Sequence, residues 1–344
     1  MSSGVETPTR GTEIISDSQI RGYMKVFGGL TYTRDRSGGR AAVVIVPDAP
    51  KPFVIKSPYE SKSLGDTERL VSNYEACILR LLKDSDRSSP VVLPYLLGRN
   101  HSRTSVVVDY IPGITLTDDQ VDRMTIPEKN ALGKNIARFV NWMAEAIPQD
   151  NKIFQLNYNS AARPYDRRNT VVAKWRVLPD ELDYVGQHEL AGLTSDLFKE
   201  YLSLKKEGKI KDRYIVGHND LKPSNWVFGY DERGNFDLLS VVDFGEALLT
   251  TPEQEFRRLP LLGDTVLYSA IKEYRRLTGI TLDENVIRFW SKVHFIDFAN
   301  NIALGKGSRK QLPFLLTQLR RLYPDFDPRE LTGEITYQHG KQKL

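Results

Sequence analysis

An α+β fold in two lobes is what this chain of 344 residues predicts: a small antiparallel sheet carrying one helix, followed by a larger and mainly helical part. Three observations carry that prediction. β-Branched and alternating runs crowd the first third, apolar residues recur at helical spacing through most of the remainder, and β signal returns only briefly near residues 214–243. At roughly 100–200 residues per domain, the length calls for two domains or one bilobal unit. The expected division is a tail at 1–12, small, polar and disordered, an N-lobe at 13–111 and a C-lobe at 112–344.

Taken in order, the pattern from Ile14 to Met24 suggests a helix, after which Lys25–Thr33, Ala41–Pro47 and Phe53–Lys56 read as three antiparallel strands. Arg34–Arg40, RDRSGGR, is a glycine-containing turn between the first two. Asp66–Leu82 places Leu70, Tyr74, Cys77, Ile78 and Leu81 at helical spacing behind an Asp or Thr cap. Two short apolar runs follow, Val91–Leu97 and Thr104–Tyr110, the second ending in Ile111-Pro112-Gly113.

Beyond Gly113 the pattern turns helical. Pro127–Ile147 opens with Pro in its first turn and sets Ile136, Phe139, Val140 and Met143 on one face. The polar stretch 157–170 reads as a mobile loop before a helix near Gly192–Lys206. Short strands are expected at Tyr214–Gly217, Trp226–Gly229 and Leu238–Asp243, with a turn at Asp231–Asn235, and helices again from Leu261 to Tyr323.

Composition excludes several function classes. The 48 basic and 44 acidic side chains are interspersed rather than gathered into runs, so the net charge of +4 does not imply nucleic-acid binding. A single cysteine, Cys77, forbids an intrachain disulfide or a Cys-cluster zinc site. The first residues lack the apolar core of a secretory signal, and no stretch approaches the roughly 20 apolar residues of a membrane-spanning helix. A cytoplasmic protein without membrane attachment is expected, its oligomeric state unreadable. His101, His188, His294 and His339 lack metal-ligand spacing, and neither H-E-x-x-H, G-x-S-x-G nor a P-loop occurs.

The informative segment is His218-Asn219-Asp220-Leu221-Lys222-Pro223-Ser224-Asn225, followed by Asp243-Phe244-Gly245. This H-x-D-L-K-P-x-N and D-F-G pair resembles the catalytic and metal loops of the protein-kinase-like superfamily, and the bilobal fold takes that name. Phosphoryl transfer is mainly positioning and charge neutralisation around a nucleotide and its Mg²⁺, which is why such a set is needed. The resemblance implies that Asp220 accepts the proton of the attacking hydroxyl, that Lys222 reaches the transferring group, and that Asn225 and Asp243 supply hard oxygen ligands to Mg²⁺. His218 would order the loop.

By the same resemblance Lys56 would hold the α- and β-phosphates and Glu75, 19 positions later on the helix, would hold the lysine. Alone, the two are as readily a surface lysine and a solvated helix acid. In the VVVDYIPG segment the Asp109 carbonyl and the Ile111 N–H would pair with the adenine, and Ser37, Gly38 and Gly39 would cover the phosphates.

An ordinary protein kinase would carry H-R-D, G-x-G-x-x-G and an A-P-E motif, none of which is present. Thr251-Pro252-Glu253-Gln254-Glu255-Phe256 follows D-F-G-E-A within a few residues, leaving no room for a peptide-binding activation segment. The long connection from Gly113 to His218, with H-N-D-L and D-F-G-E-A, is similar to the aminoglycoside phosphotransferase and choline kinase-like family, from roughly Gly28 to Phe256. Two departures stand out: Lys222 occupies a position where that family usually has His or Asn, and Glu255 replaces an aspartate.

The expected activity is therefore ATP-dependent transfer of a γ-phosphoryl group to a hydroxyl of a small molecule, with GTP left open as donor. A protein kinase-like enzyme and a nucleotide-binding pseudokinase are the alternatives. Glu253, Glu255, Asp264, Glu273, Asp283, Glu284 and Asp297 are matched by at least as many Arg and Lys residues beyond Glu246, a balance that does not favour a strongly cationic acceptor. Trp290, Phe295, Ile296 and Phe298 either line a substrate cleft or, at helical spacing, belong to the core.

Overall fold

The structure, a computed structural model, describes residues 12–13, 17–35, 41–60, 65–99, 105–154, 175–230, 236–305, 309, 312–327 and 331. The expected tail at 1–12 lies almost wholly outside them. So do the loop at 157–170, the turn at 231–235, and Ser37, Gly38 and Gly39.

The N-terminal region is an antiparallel sheet of β1 (Thr12–Glu13), β2 (Thr33–Asp35), β3 (Ala41–Val46), β4 (Phe53–Glu60), β5 (Leu96–Arg99) and β6 (Val106–Asp109), in the order β2-β3-β4-β6-β5, with β1 beside the far end of β4. Helix α1 (Asp17–Phe27) covers one side, burying Ile20 with Val44, Val46, Phe53, Ile55 and Val107. The other helix, α2 (Gly65–Asp84), buries Tyr74, Ile78, Leu79 and Leu82 in the larger core beneath the sheet, leaving Cys77 half-buried without an assigned role.

One expected strand needs correction. Lys25–Phe27 is helical, because Ile20, Tyr23, Met24 and Phe27 recur at helical spacing against the sheet, and the helix stops at Gly28 and Gly29, whose φ of 83° and 119° suit glycine. Only Thr33–Asp35 of that region is strand. The run at Val91–Leu97 pairs as a strand only from Leu96, since Pro90 and Pro94 lack the N–H that a ladder requires. Val92 instead bridges to Ser240.

Past β7 (Ile114–Thr115), helices dominate: α3 (Asp118–Arg123), α4 (Ile126–Ala146), α5 (Leu178–Tyr184) and α6 (His188–Lys206). The start of α4 follows from its sequence, for Thr125 and Glu128 satisfy each other's backbone N–H groups in a capping box and Pro127 lies in the first turn. Strand β8 (Ile215–Gly217) pairs with β11 (Leu248–Thr250), while β9 (Trp226–Tyr230) pairs with β10 (Phe236–Val241) and β7. Then come α7 (Pro252–Glu255), a 3-10 turn at Phe256–Leu262, α8 (Asp264–Thr278), α9 (Glu284–Ala303) and α10 (Leu312–Leu322).

Helices α4 and α8 form the most intimate helix pair. Gly133 of α4 has no room for a Cβ against Val266 O and Ser269 of α8, so the backbones meet directly. Phe139, Val140 and Met143 of the same helix share one core with Val216 of β8 and Val241 of β10. A second core joins α5, α6, α9 and α10, and there Trp290, Phe295 and Ile296 are buried, as their helical spacing allowed. No described helix is long and apolar enough to cross a membrane.

Candidate active site

The pairing of β8 with β11 and of β9 with β10 brings the two polar segments together. The first runs from His218 to Asn225 and ends in a 3-10 turn at Pro223–Asn225; the second turns at Asp243 into another at Phe244–Glu246. The Val242 N–H donates to Asn225 O at 2.9 Å, stitching one to the other.

His218 is fully buried between them. Its Nε2 lies 3.0 Å from Val242 O, and the Asp220 N–H donates to its Nδ1 at 3.3 Å, a pattern that assigns the neutral Nε2–H tautomer. Burial pushes its pKa down in the same sense, and its ring edge meets Phe244 at 4.9 Å between centroids. The ordering role expected of this histidine is thus visible as two hydrogen bonds and a ring contact.

Asp220 follows Asn219, whose φ of 63° is left-handed, a conformation that Asn tolerates better than most residues. Lys222 Nζ lies 2.7 Å from Asp220 Oδ2, and the Asn225 amide donates to Asp220 O at 2.9 Å and to the same Oδ2 at 3.1 Å. Arg258 Nη2 stands 3.9 Å from the other oxygen, Oδ1. Burial alone would raise the Asp220 carboxyl, but the charges of Lys222 and Arg258 outweigh it and hold the group down at about 2.

Across from it, Lys56 on β4 and Glu75 on α2 form an ion pair of 2.8 Å, and Lys56 Nζ also reaches Asp243 Oδ1 at 3.1 Å. Burial opposes the lysine's charge, yet the two carboxylates keep its pKa raised, and Lys56 in turn holds Asp243 low. Glu75 is buried with its partner, whereas the Asp243 side chain is about half exposed, at 48%. Asp243 has a φ of 70°, a strained setting for a residue other than glycine, worth about 1–3 kcal/mol.

The donor set can be tested against a divalent cation. Asn225 spends its amide nitrogen on Asp220, which leaves its carbonyl oxygen as the hard donor, and the half-exposed Asp243 carboxylate offers a second oxygen. Among the described residues no cluster of three or more His, Cys, Asp or Glu side chains could hold a metal unaided. Two protein oxygens completed by phosphates and water are what Mg²⁺ takes in nucleotide sites, so the residues fit that ion.

At the end of β6, the Tyr110 N–H donates to Pro52 O at 2.9 Å and the Asp109 N–H to Tyr95 O at 2.9 Å, which anchors the strand end. The Asp109 side chain pairs with Lys51 at 3.1 Å. Ser37, Gly38 and Gly39, the expected phosphate cover, lie outside the described residues.

Three residues at the site escaped the sequence reading of roles. Glu255 accepts the His218 N–H at 2.9 Å and the Asn219 N–H at 3.1 and 3.0 Å on its two oxygens, and burial pushes its carboxyl up to about 7. Arg257 donates to Gln254 O at 2.7 Å and to Asn219 O. Arg258, described above, completes the set. The signal for Glu255 was the departure from aspartate; nothing local marked the arginines.

This frame matches known relatives. A model of the phosphotransferase enzyme family (APH) matches residues 31–290, and the chain belongs to that family. No curated protein matches the sequence itself. Among solved structures, the streptomycin–ATP ternary complex of APH(2")-IIa aligns over 92% of this chain and 99% of its own, with 16% identity and a TM-score of 0.60. The GDP complex of wild-type aminoglycoside 2'-phosphotransferase-IIIa aligns over 90% and 96%, with 18% identity and a TM-score of 0.63. A macrolide 2'-phosphotransferase from Brachybacterium faecium aligns over 90% and 98%, with 15% identity and a TM-score of 0.57. At those identities the likeness is one of fold: a protein-kinase-like architecture.

Proposed function

We propose that this chain transfers the γ-phosphoryl group of ATP, or of GTP, to a hydroxyl of a small molecule bound beside Asp220. The observation that carries the reading is the meeting of Lys56, Glu75 and Asp243 on one side with Asp220, Lys222 and Asn225 on the other. The N-lobe, 13–111, and the C-lobe, 112–344, would thereby both contribute to one cleft, and the nucleotide would lie between them with its base at Asp109 and Ile111. Phosphates of the relatives' nucleotides would meet Lys56, and Ser37, Gly38 and Gly39 would close over them.

In this mechanism Asp220 takes the proton of the acceptor hydroxyl on Oδ1, since Oδ2 already accepts from Lys222 and Asn225. The hydroxyl oxygen attacks the γ-phosphorus, the bond to the β–γ bridging oxygen breaks, and the nucleoside diphosphate leaves with that electron pair. Lys222 neutralises charge on the transferred group, and Glu75 keeps Lys56 aimed at the cleft. Mg²⁺ held by Asn225 and Asp243 would supply charge neutralisation between the phosphates.

The test is nucleoside diphosphate release by purified protein with Mg²⁺ over aminoglycosides, choline, ethanolamine, homoserine, sugars and nucleosides, with Asp220→Ala alongside. Acceptor-stimulated release lost in the variant supports the reading. Tight nucleotide binding with no turnover, or transfer to casein in place of small molecules, would replace it with a pseudokinase or a protein kinase.

A further inference from the structure

Ser240 of β10 is a hydroxyl set among apolar neighbours. It is fully buried on a strand whose Leu238 and Val241 belong to the larger core, and a hydroxyl taken out of water there is costly unless it is bonded. Its short bond leaves the sheet. The Ser240 hydroxyl donates to Val92 O at 2.6 Å, and the Val92 N–H donates to Leu239 O at 2.8 Å. A bulge in β10 makes the second bond available: Leu238 lies opposite Phe228 and Ser240 opposite Val227, so no residue of β9 pairs with Leu239.

These two bonds join distant parts of the chain. Val92 lies in the segment that follows α2, which is folded on itself by Ser89, whose hydroxyl donates to Val91 O at 2.6 Å. The same segment is fastened to α4 by the Trp142 ring N–H, which donates to Arg87 O at 3.3 Å. Ser240 lies three residues before Asp243. Helix α2 meets the Asp243 turn a second time through Glu75, which accepts the Phe244 N–H as well as Lys56. A helix tied at one point can tilt about it. Tied both through Glu75 and through the segment that follows it, α2 keeps its orientation on the metal loop.

We propose that Ser240 is a positioning residue for the nucleotide site: by binding Val92 O it supplies the second tie that holds α2 against the Asp243 turn, so that Lys56, Glu75 and Asp243 stand assembled before a magnesium nucleotide arrives. The proposal rests on the reading of Asp243 as a Mg²⁺ ligand. Ser240 touches no substrate and acts through Val241 and Val242, which lead to that carboxylate. A site assembled in this way needs no activating modification to bring its acid and lysine together, and its ordering is already present when the ligand binds.

The test compares wild type with Ser240→Ala, with Ser240→Thr, which keeps the hydroxyl, and with Val92→Pro, which removes the N–H given to Leu239. Binding of a fluorescent ADP analogue is titrated with Mg²⁺, and amide hydrogen exchange of Phe244 is followed without ligand. Ser240→Ala should need at least about threefold more Mg²⁺ for half-saturation and exchange Phe244 at least about threefold faster, as the loss of one hydrogen bond implies. Val92→Pro should shift both in the same direction, and Ser240→Thr should stay near wild type. With an acceptor in hand, KM for the nucleotide should rise in Ser240→Ala while KM for the acceptor holds.

A serine that merely fills the core would lower stability to urea in Ser240→Ala and leave the Mg²⁺ requirement unchanged, and that result overturns the proposal. Equal impairment in Ser240→Ala and Ser240→Thr overturns it as well, since the effect would then belong to packing rather than to the hydroxyl. Nucleotide binding that ignores Mg²⁺ in wild type would overturn the proposal together with the metal role of Asp243. Mg²⁺-dependent binding without turnover on any acceptor would overturn phosphotransfer alone, and the binding titration would still decide for or against Ser240.

Discussion

Glu255 and Asn219 lie 36 positions apart in sequence, yet the Asn219 N–H donates to both oxygens of the Glu255 carboxylate, at 3.1 and 3.0 Å. The His218 N–H joins them at 2.9 Å. The residue before the proposed base is therefore held in its left-handed conformation by a buried acid from another element. Glu255→Ala should leave two buried N–H groups without an acceptor and cost about 3 kcal/mol in denaturant unfolding, with loss of phosphotransfer. Glu255→Gln keeps one acceptor oxygen and should cost less; equal stability in wild type and Glu255→Ala would count against the anchoring role.

The same carboxyl makes a pH prediction. Its pKa is raised by burial from 4.5 to about 7, so between those values the folded chain binds more protons than the unfolded chain. The contribution is fully present below pH 4.5 and is lost as pH rises through about 7, on the order of 3 kcal/mol. Unfolding free energies measured from pH 4.5 to 8 should decline less steeply in Glu255→Gln than in wild type. Parallel pH profiles would assign the decline to other groups.

How much of this was readable in the sequence follows from where each signal is stored. Asp220, Asn225 and Asp243 sit in compact motifs whose spacing is dictated by strand–loop–strand geometry, and Lys56 and Glu75 gained meaning from their order relative to those motifs. Arg258 carries no local signal, because its contact with Asp220 spans 38 positions and depends on how the 3-10 turn packs on Phe295. The strand expected at Lys25–Thr33 failed for a similar reason: alternation over a few residues cannot outweigh a helical face that the sheet buries.

Lys56 and Glu75 form a buried pair, and removing one partner strands the other. Lys56→Met should destabilise the protein by about 3–5 kcal/mol, since the Glu75 carboxylate would keep its burial and lose its counter-charge. The double variant Lys56→Met/Glu75→Gln should recover much of that loss while remaining inactive. Stability measured by urea unfolding and activity measured by diphosphate release separate the two effects; equal stability of single and double variants would show that the pair is not coupled.

Asp220 should stay ionised across the physiological range, with its pKa at about 2. Stability from its ionised form is present above the unfolded value of 3.8 and is lost as pH falls from there through about 2. Any acid limb in kcat/KM above pH 5 therefore belongs to another group. Lys222→Met removes the larger of the two offsetting charges, so the Asp220 carboxyl should rise and bring an acid limb upward in pH. An unchanged profile in that variant would mean that Lys222 does not set the charge of the base.

Gly217 ends β8 immediately before the loop, and a Cβ there would collide with the Glu255 carboxylate and lie 2.6 Å from Thr250 Cγ2. Its φ is not among the positive values, so the demand is for space rather than for backbone freedom. Gly217→Ala should cost about 1–3 kcal/mol and reduce turnover, because Glu255 cannot retreat without releasing the His218 and Asn219 N–H groups. Glu255→Asp shortens the acid by a methylene and opens that space, at the expense of reach toward the loop. In Gly217→Ala/Glu255→Asp the two costs should sum to less than the single variants predict, since the clash and the lost reach cannot both be charged in full. Strict additivity in a double-mutant cycle would mean that the glycine and the glutamate act independently, and the loop anchor would then have to be sought elsewhere.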